Sequence, residues 1–335
     1  MNIIFIVGNS RSGTTMMGRI LGNNPDIFTF GELHFFGKLY EPSKKNIKSL
    51  NIEQSVNLFA KLLCVQREGY FAPCTDNKKY LKEISSNINN IMLTPEAIYI
   101  DFLKYETKIK KKNIACEQTP RNLYYIENIL KLPCNVKIIN MVRDPRDVLL
   151  SQKTKWKRKF LGANKIPLRE SIRSWINYHP ITIAWLWKSA INKSSIYHNH
   201  TSIISVKFED LLEQPKNTMQ RVTQFLDISY TNDMLRIPHT GSSEIHDTSE
   251  IGINKKRLNP WKKSDKLKKT EIYLCEKICS NQMNKLGYIL SEVKPSLILL
   301  IYLLFSFLLK IIFSFIFNIN RSKNILLTIK KRLAI

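Results

Sequence analysis

An α/β fold, with a parallel sheet flanked by helices and a hydrophobic helix at the C-terminus, follows from three stretches of the sequence. Ile3 to Val7 is a β-branched and aromatic run that passes through a glycine-containing turn into helical spacing at Met17, Ile20 and Leu21. Lys137 to Val142 is a second apolar run of strand type, and it leads into a helix start at Pro145. Leu297 to Phe317 carries 17 Leu, Ile or Phe residues, and as a helix it would span roughly 30 Å, the thickness of a bilayer core.

The 335 residues suffice for one large domain or two smaller ones. Hydrophobic residues at 44%, charged residues at 24%, and only 11 Gly and 13 Pro exclude collagen-like, disordered and low-complexity classes. Lys and Arg number 52 against 27 Asp and Glu, a formal charge of +25 that favours anionic partners such as nucleotides, nucleic acid or acidic lipid. The tracts at 108–113, 255–263 and 266–269, rich in Lys, Asn and Ile, read equally well as solvated surface. The cysteines Cys64, Cys74, Cys116, Cys134, Cys275 and Cys279 form no CxxC, which argues against zinc. Their scatter fits a reducing compartment better than a disulfide framework, and Cys275 and Cys279, one helical turn apart, are expected to pack as small apolar residues.

Taken in order, Asn2 to Val7 lacks a basic leader and a long apolar region, so it reads as a strand rather than a signal peptide. Gly8-Asn9-Ser10-Arg11-Ser12-Gly13-Thr14-Thr15 follows, with the G-x4-G separation of a P-loop, in which backbone N–H groups and a helix N-terminus surround a phosphate. The sheet is therefore expected to be of P-loop type. Thr14 stands where a triphosphate-binding loop has its lysine, and the cation is Arg11, inside the loop. The loop suits a phosphate whose leaving group needs less neutralisation and no metal. Gly22-Asn23-Asn24-Pro25 ends the helix, and Ile27 to Phe30 is a short strand. Later, Arg143-Asp144-Pro145-Arg146-Asp147-Val148-Leu149-Leu150-Ser151 sets a second cationic strand end opposite the first loop, or else a surface ion-pair cluster.

These two motifs resemble those of sulfotransferases that use 3′-phosphoadenosine-5′-phosphosulfate, PAPS. Arg11-Ser12-Gly13-Thr14-Thr15 is similar to that family's 5′-phosphosulfate loop, and Val142-Arg143-Asp144-Pro145-Arg146-Asp147 with Ser151 to its 3′-phosphate strand and helix. The resemblance implies that Arg11, Ser12, Gly13, Thr14 and Thr15 hold the 5′ side and that Arg143 and Ser151 hold the 3′-phosphate. An Arg fork suits phosphate oxygens, and a Ser eight residues later, about two helical turns on, can reach the same group. Ile203 to Leu212 resembles the family's late strand and turn, followed by a helix from Pro215 with Met219, Val222, Phe225 and Leu226 on one face. Lys255-Lys256-Arg257-Leu258-Asn259-Pro260-Trp261-Lys262 resembles the basic loop over the nucleotide, with Lys255, Lys256 and Arg257 as 3′-phosphate contacts or a solvated loop. Leu286-Gly287-Tyr288 resembles the domain end.

The implied reaction is in-line sulfuryl transfer from PAPS to a hydroxyl or amine of a glycan, lipid or other small acceptor, by positioning and charge stabilisation without metal. Arg11 is expected to stabilise the leaving phosphate. The expected general base is Glu32, which follows the short strand at the sheet's C-terminal edge, or alternatively His34, the remaining reading being a purely structural pair. Glu117-Gln118-Thr119-Pro120-Arg121 departs from a family segment that often reads Glu-Lys-Thr-Pro-Arg, so Gln118 lacks the charge of a catalytic lysine. Arg121 is an acceptor or nucleotide contact, or surface. The departure motivates an inactive PAP-binding membrane protein as one alternative; the other is a P-loop kinase, disfavoured by Thr14.

Residues 1–290 are expected to form the catalytic domain, with helical insertions at about 36–112 and 152–200, the usual place for acceptor specificity. The run Lys153, Lys155, Lys157, Arg158 and Lys159 with Trp156 reads as a solvated helix face before an acceptor contact. Residues 291–335 form a membrane-associated helix and basic tail. Lys310 costs roughly 3 kcal/mol in a bilayer, which the apolar residues at about −0.3 to −0.6 kcal/mol each outweigh. Arg321, Lys323, Lys330, Lys331 and Arg332 pull the C-terminus towards the cytoplasm, where a PAPS-using domain is also expected to face, so 297–317 either lies in the interface or overrides the charge rule. No nucleic-acid partner is expected.

Overall fold

The structure, a computed structural model, describes residues 2–42, 49–69, 78–85, 94–161, 166–239, 250–319 and 330. Its elements run β1 (Asn2–Gly8), α1 (Thr14–Gly22), β2 (Ile27–Thr29), α2 (Ile52–Glu68), α3 (Lys78–Ser85), α4 (Pro95–Ile109), β3 (Ile114–Glu117), α5 (Ile126–Leu130), β4 (Asn135–Val142) and α6 (Pro145–Lys153). They continue with α7 (Leu168–Ile176), α8 (Pro180–Ser195), β5 (Ile203–Lys207), α9 (Phe208–Glu213), α10 (Pro215–Leu226), α11 (Pro260–Lys263), α12 (Lys269–Lys285) and α13 (Leu297–Asn318). Cys74 and the tail residues Arg321, Lys323, Lys331 and Arg332 lie outside the described residues.

The sheet is parallel, with strand order β2-β3-β1-β4-β5. Central β1 pairs with β3 from Ile3↔Ala115 to Phe5↔Glu117 and with β4 from Asn2↔Asn135 to Gly8↔Met141. Alternate side chains of β1 enter opposite layers, as a pleated strand requires. Ile3, Phe5 and Val7 pack with Phe30, Phe35 and the α4 residues Tyr99, Phe102 and Leu103. Ile4 and Ile6 pack with Met17, Ile20 and Leu21 of α1 and Met219 and Val222 of α10. The chain leaves β1 for β2 on one side, whereas β4 stands on the other, so the connections diverge at the β1/β4 seam. In an open parallel sheet that divergence opens a crevice beyond the strands' C-terminal ends.

A third cluster joins Val148 and Leu149 of α6 to Trp187 of α8 and Cys275, Cys279 and Met283 of α12. Both cysteines are free and fully buried, as small apolar packing groups. Cys64 departs from the expectation of reduced thiols, because it is disulfide-bonded. Helix α13 buries Leu303 alone among its own residues, against Ile181 and Leu274, and leaves most of its apolar side chains exposed.

Candidate functional site

The loop after β1 has a conformation that its glycines permit. Gly8 sits at φ +152°, where a Cβ would stand 2.4 Å from the Met141 carbonyl oxygen, so β1 and β4 approach too closely for a side chain. Gly13, at φ +94°, caps α1, and a Cβ there would meet the Phe208 ring at 2.3 Å. Arg11 is left-handed at φ +78°, an uncommon conformation for a residue with a side chain. Ser12 is fully buried under the loop, and its Oγ has no hydrogen-bond partner among the described residues. It faces away from the cavity, unlike Arg11, Gly13, Thr14 and Thr15, which line it.

At the end of β4, Asp144 caps α6 by accepting from the Arg146 N–H at 2.8 Å, with Pro145 in the first turn. Arg143 turns back towards the first loop. Its Nη1 donates to the Arg11 carbonyl at 3.3 Å, and its guanidinium lies 4.4 Å above the Phe208 ring. Its own carbonyl receives Trp187 Nε1 at 2.8 Å, while Arg143 Nε is buried without an acceptor among the described residues. Ser151, two turns along α6, accepts from Arg11 Nε at 2.8 Å. The two motifs thus converge at the seam.

The expected alternative, a surface ion-pair cluster, describes neither arginine. Arg146 is buried, paired with Asp144 at 2.6 Å and Glu276 at 2.7 Å, and stacked 4.0 Å over Trp261. Trp261 is therefore core, and its backbone N–H donates to Asp147 Oδ1 at 3.1 Å. Burial pushes the Asp147 carboxyl up to about 7 in spite of Arg143. From the basic loop, Lys256 and Arg257 reach the cavity, but Lys255 is exposed and does not line it.

The cavity above the seam has a volume of about 1350 Å³. Among the described residues, thirteen lysines and arginines line it against three carboxylates, those of Glu32, Asp147 and Glu170, so its preferred occupant is an anion. Burial, then the like charges of Arg158 and Arg143, draw the Arg11 guanidinium down to about 9. Burial, then Arg11 and Arg173, hold the Lys155 ammonium down to about 7. Lys155 and Arg158 were expected on a solvated face. They instead enter the cavity, while their neighbour Lys153 pairs with Glu271. The signal that could have found them is their place directly after the helix carrying Ser151.

Glu32 and His34 sit on the segment after β2, and both line the cavity. His34 Nε2 is 3.2 Å from Glu32 Oε2, and a left-handed backbone at φ +50° turns the imidazole back towards it. Burial lowers the His34 pKa, against the pull of Glu32, so the ring is neutral at pH 7 and donates to the carboxylate. Burial raises the Glu32 pKa, but the His34 hydrogen bond and the positive charges of Lys155 and Arg121 more than offset it, leaving it below the usual value. The His34 backbone N–H donates to Thr119 Oγ1 at 3.2 Å, and Thr119 is held by buried Glu117, so β3 fixes this segment. Burial lifts the Glu117 pKa to about 7. Gln118 does not line the cavity. Its Oε1 lies beneath α1, 2.8 Å from where a Cβ on Gly18 would stand, whereas Arg121 does line the cavity.

Residues 3–232 match the sequence profile described as "Sulfotransferase family". A Caenorhabditis briggsae protein named "Putative protein-tyrosine sulfotransferase" is 24% identical over 272 residues, covering 77% of this chain and 80% of its own. A Caenorhabditis elegans protein of the same name is 24% identical over 189 residues, covering 52% of this chain and 68% of its own. Among solved structures, the sulfotransferase domain from the curacin biosynthetic pathway is similar in fold, with a TM-score of 0.53 at 18% identity over 86% of this chain and 98% of that one.

Proposed function

The chain belongs to the sulfotransferase family, and from that premise we propose that it transfers a sulfuryl group from PAPS to a hydroxyl or amine of an acceptor. The observation that carries this reading is the meeting of Arg11, Arg143 and Ser151, from two segments far apart in sequence, in one cation-lined cavity. The Nε atoms of Arg143 and Arg158, buried without an acceptor among the described residues, fit a polyanionic nucleotide, since each such donor costs about 1–3 kcal/mol.

Arg11, Gly13, Thr14 and Thr15 hold the 5′-phosphosulfate, with Ser12 contributing only its backbone. Arg143 and Ser151 hold the 3′-phosphate, with Lys256 and Arg257 closing over it. The Ser151 hydroxyl accepts from Arg11, which leaves its proton to donate to a phosphate oxygen. The acceptor oxygen or nitrogen forms a bond to sulfur as the bond from sulfur to the 5′-phosphate oxygen breaks. The acceptor's proton passes to Glu32, and PAP leaves with the bonding pair. An ionised Glu32 takes that proton late, when the attacking group has become acidic. Arg11 and Lys155 stabilise the departing phosphate, and Lys155 supplies the charge that Gln118 lacks, which favours activity over a purely PAP-binding role.

Membrane association through 297–317, with the domain facing the cytoplasm, completes the proposal. The Cys64 disulfide is unusual for a reducing compartment, so alkylation of thiols without reductant tests the side. Transfer of ³⁵S from PAPS onto a panel that includes tyrosine peptides, after which the nematode relatives are named, tests the reaction. Binding of ATP with Mg²⁺ in preference to PAP would overturn it in favour of a kinase.

A further inference from the structure

Helix α13 is moored along the flank of the domain rather than hanging from it. Ser306, Lys310, Ser314 and Asn318 recur every four residues and so share one face of an otherwise apolar helix. Three of them bind the domain. Lys310 Nζ donates to the Trp175 carbonyl at 3.2 Å and lies 3.9 Å from the Trp175 ring centre. Ser314 Oγ and Asn318 Nδ2 both donate to Asn177 Oδ1, at 2.7 and 2.9 Å, and Arg173 Nη1 donates to Asn318 Oδ1 at 3.2 Å.

This mooring decides how the helix can meet a bilayer. A span across the membrane would carry Arg173, Glu170 and Asn177 into hydrocarbon, where polar groups are costly. Lying in the interface buries the outer apolar face and leaves the polar contacts on the domain side. Leu168, Ile172 and Trp175 of α7 are exposed at i, i+4 and i+7, and Trp185 of α8, also exposed, packs on Phe307 of α13. They extend the apolar surface of α13, and tryptophan favours that boundary. The formal charge of +25 suits an anionic leaflet.

The same helix also forms a wall of the cavity, where Phe307, Ile311 and Phe315 face the space that contains Arg11 and Glu32. Phe307 packs edge-on to Trp185 at 5.3 Å between ring centres, at the mouth. One end of the cavity is thus cationic, and the other sets Phe307, Ile311 and Phe315 beside the polar Lys310, Ser314 and Asn318 and opens towards the exposed apolar surface of α13. We propose that the acceptor is a membrane-resident amphiphile, whose hydroxyl- or amine-bearing head reaches Glu32 through the mouth between α7, α8 and α13 while its acyl tail stays against α13. This rests on the sulfuryl-transfer reading and names the substrate class of that site.

The test uses the full chain in vesicles of phosphatidylcholine and phosphatidylglycerol with ³⁵S-labelled PAPS. Acceptors are offered as matched pairs: phosphatidylglycerol and glycerol, phosphatidylinositol and inositol, dodecyl glucoside and glucose. At least one amphiphile should be sulfated with a kcat/KM tenfold or more above that of its free head group, and Phe307→Ala with Ile311→Ala should lower that value about tenfold with PAP affinity retained. In the unmutated chain, brominated phosphatidylcholine should quench Trp175 and Trp185, a readout that needs no variant to fold. Equal use of the free head groups, transfer only to a tyrosine peptide, absence of quenching, or refusal of every amphiphile while PAP still binds would each overturn the proposal. Failure of the unmutated chain to bind PAP would instead remove the nucleotide reading on which it rests.

Discussion

Arg11 Nε donates to Ser151 Oγ across 2.8 Å, joining the loop after β1 to a helix 140 residues further along the chain. The contact fixes the separation of the loop after β1 and helix α6, the two segments proposed to hold the nucleotide's phosphates. Arg143, which reaches the Arg11 carbonyl, shares that arrangement.

Arg143→Ala should therefore weaken PAP far more than adenosine 5′-phosphosulfate, because only PAP carries the 3′-phosphate. A charge-assisted hydrogen bond is worth about 1.5–3 kcal/mol, so calorimetry should show a loss of roughly 10- to 100-fold for PAP. Equal losses for both ligands would remove Arg143 from the 3′ side.

Glu32→Gln should lower kcat by about 10² to 10⁴ with PAP affinity nearly unchanged, as expected for loss of a general base. His34→Ala should cost less, through a misplaced Glu32. Retained turnover in Glu32→Gln, with loss in His34→Ala, would transfer the base to His34.

Lys155, held down to about 7 by burial and then by Arg11 and Arg173, is charged below that pH and loses its charge above it. A bound polyanion favours the charged form, so PAP binding should take up a proton, and affinity should fall as pH rises through 7 and beyond. Calorimetry at pH 7.5 in buffers of different ionisation enthalpy measures the uptake, which Lys155→Met should largely abolish. Arg11, at about 9, contributes only at higher pH. Binding without proton uptake would place Lys155 away from the nucleotide.

Gly13→Ala puts a methyl group against the Phe208 ring in a left-handed position. Strain of about 1–3 kcal/mol is expected, and partial relief by Phe208→Leu in the double variant would identify the ring as its source. Thermal unfolding checks both.

Arg146→Met leaves Asp144 and Glu276 buried without their cation. Breaking such a network by removing one partner costs about 3–5 kcal/mol, which urea unfolding would register. A neutral outcome would mean that water enters the site.

The strands and helices at the seam were legible because their residues repeat a pattern: Ile3 to Val7 and Lys137 to Val142 are continuous apolar runs, and Gly8, Gly13 and Pro145 punctuate them. Arg11 was legible as the cation of a G-x4-G loop, and Arg143 and Ser151 through the resemblance to the sulfotransferase motifs. Lys155 and Arg158 were not, since a lysine in a basic run has the composition of a solvated face, and only the path after α6 turns it inward. Ser12 misled in the opposite direction, because a serine in a phosphate loop suggests a side chain turned to the ligand, yet packing buries it. The four-residue stripe on α13 was present in the sequence, but its meaning depends on Asn177 and Trp175, which only the tertiary structure brings beside it.

Pairing of Asn2 with Asn135 places the central strand next to a neighbour made much later. At a synthesis rate of about 5–20 residues per second, β1 waits roughly 7–28 s for β4 to be made. Neither of its sheet neighbours, β3 or β4, precedes residue 114. Until β3 is made the segment from Ile3 to Val7 is a short apolar β-former with both edges open, and until β4 is made one edge stays open, the kind of sequence that associates between chains. Yield in a heterologous host should accordingly respond to chaperone supply and to slower initiation, which spaces nascent chains apart, more than to the stability of the finished domain.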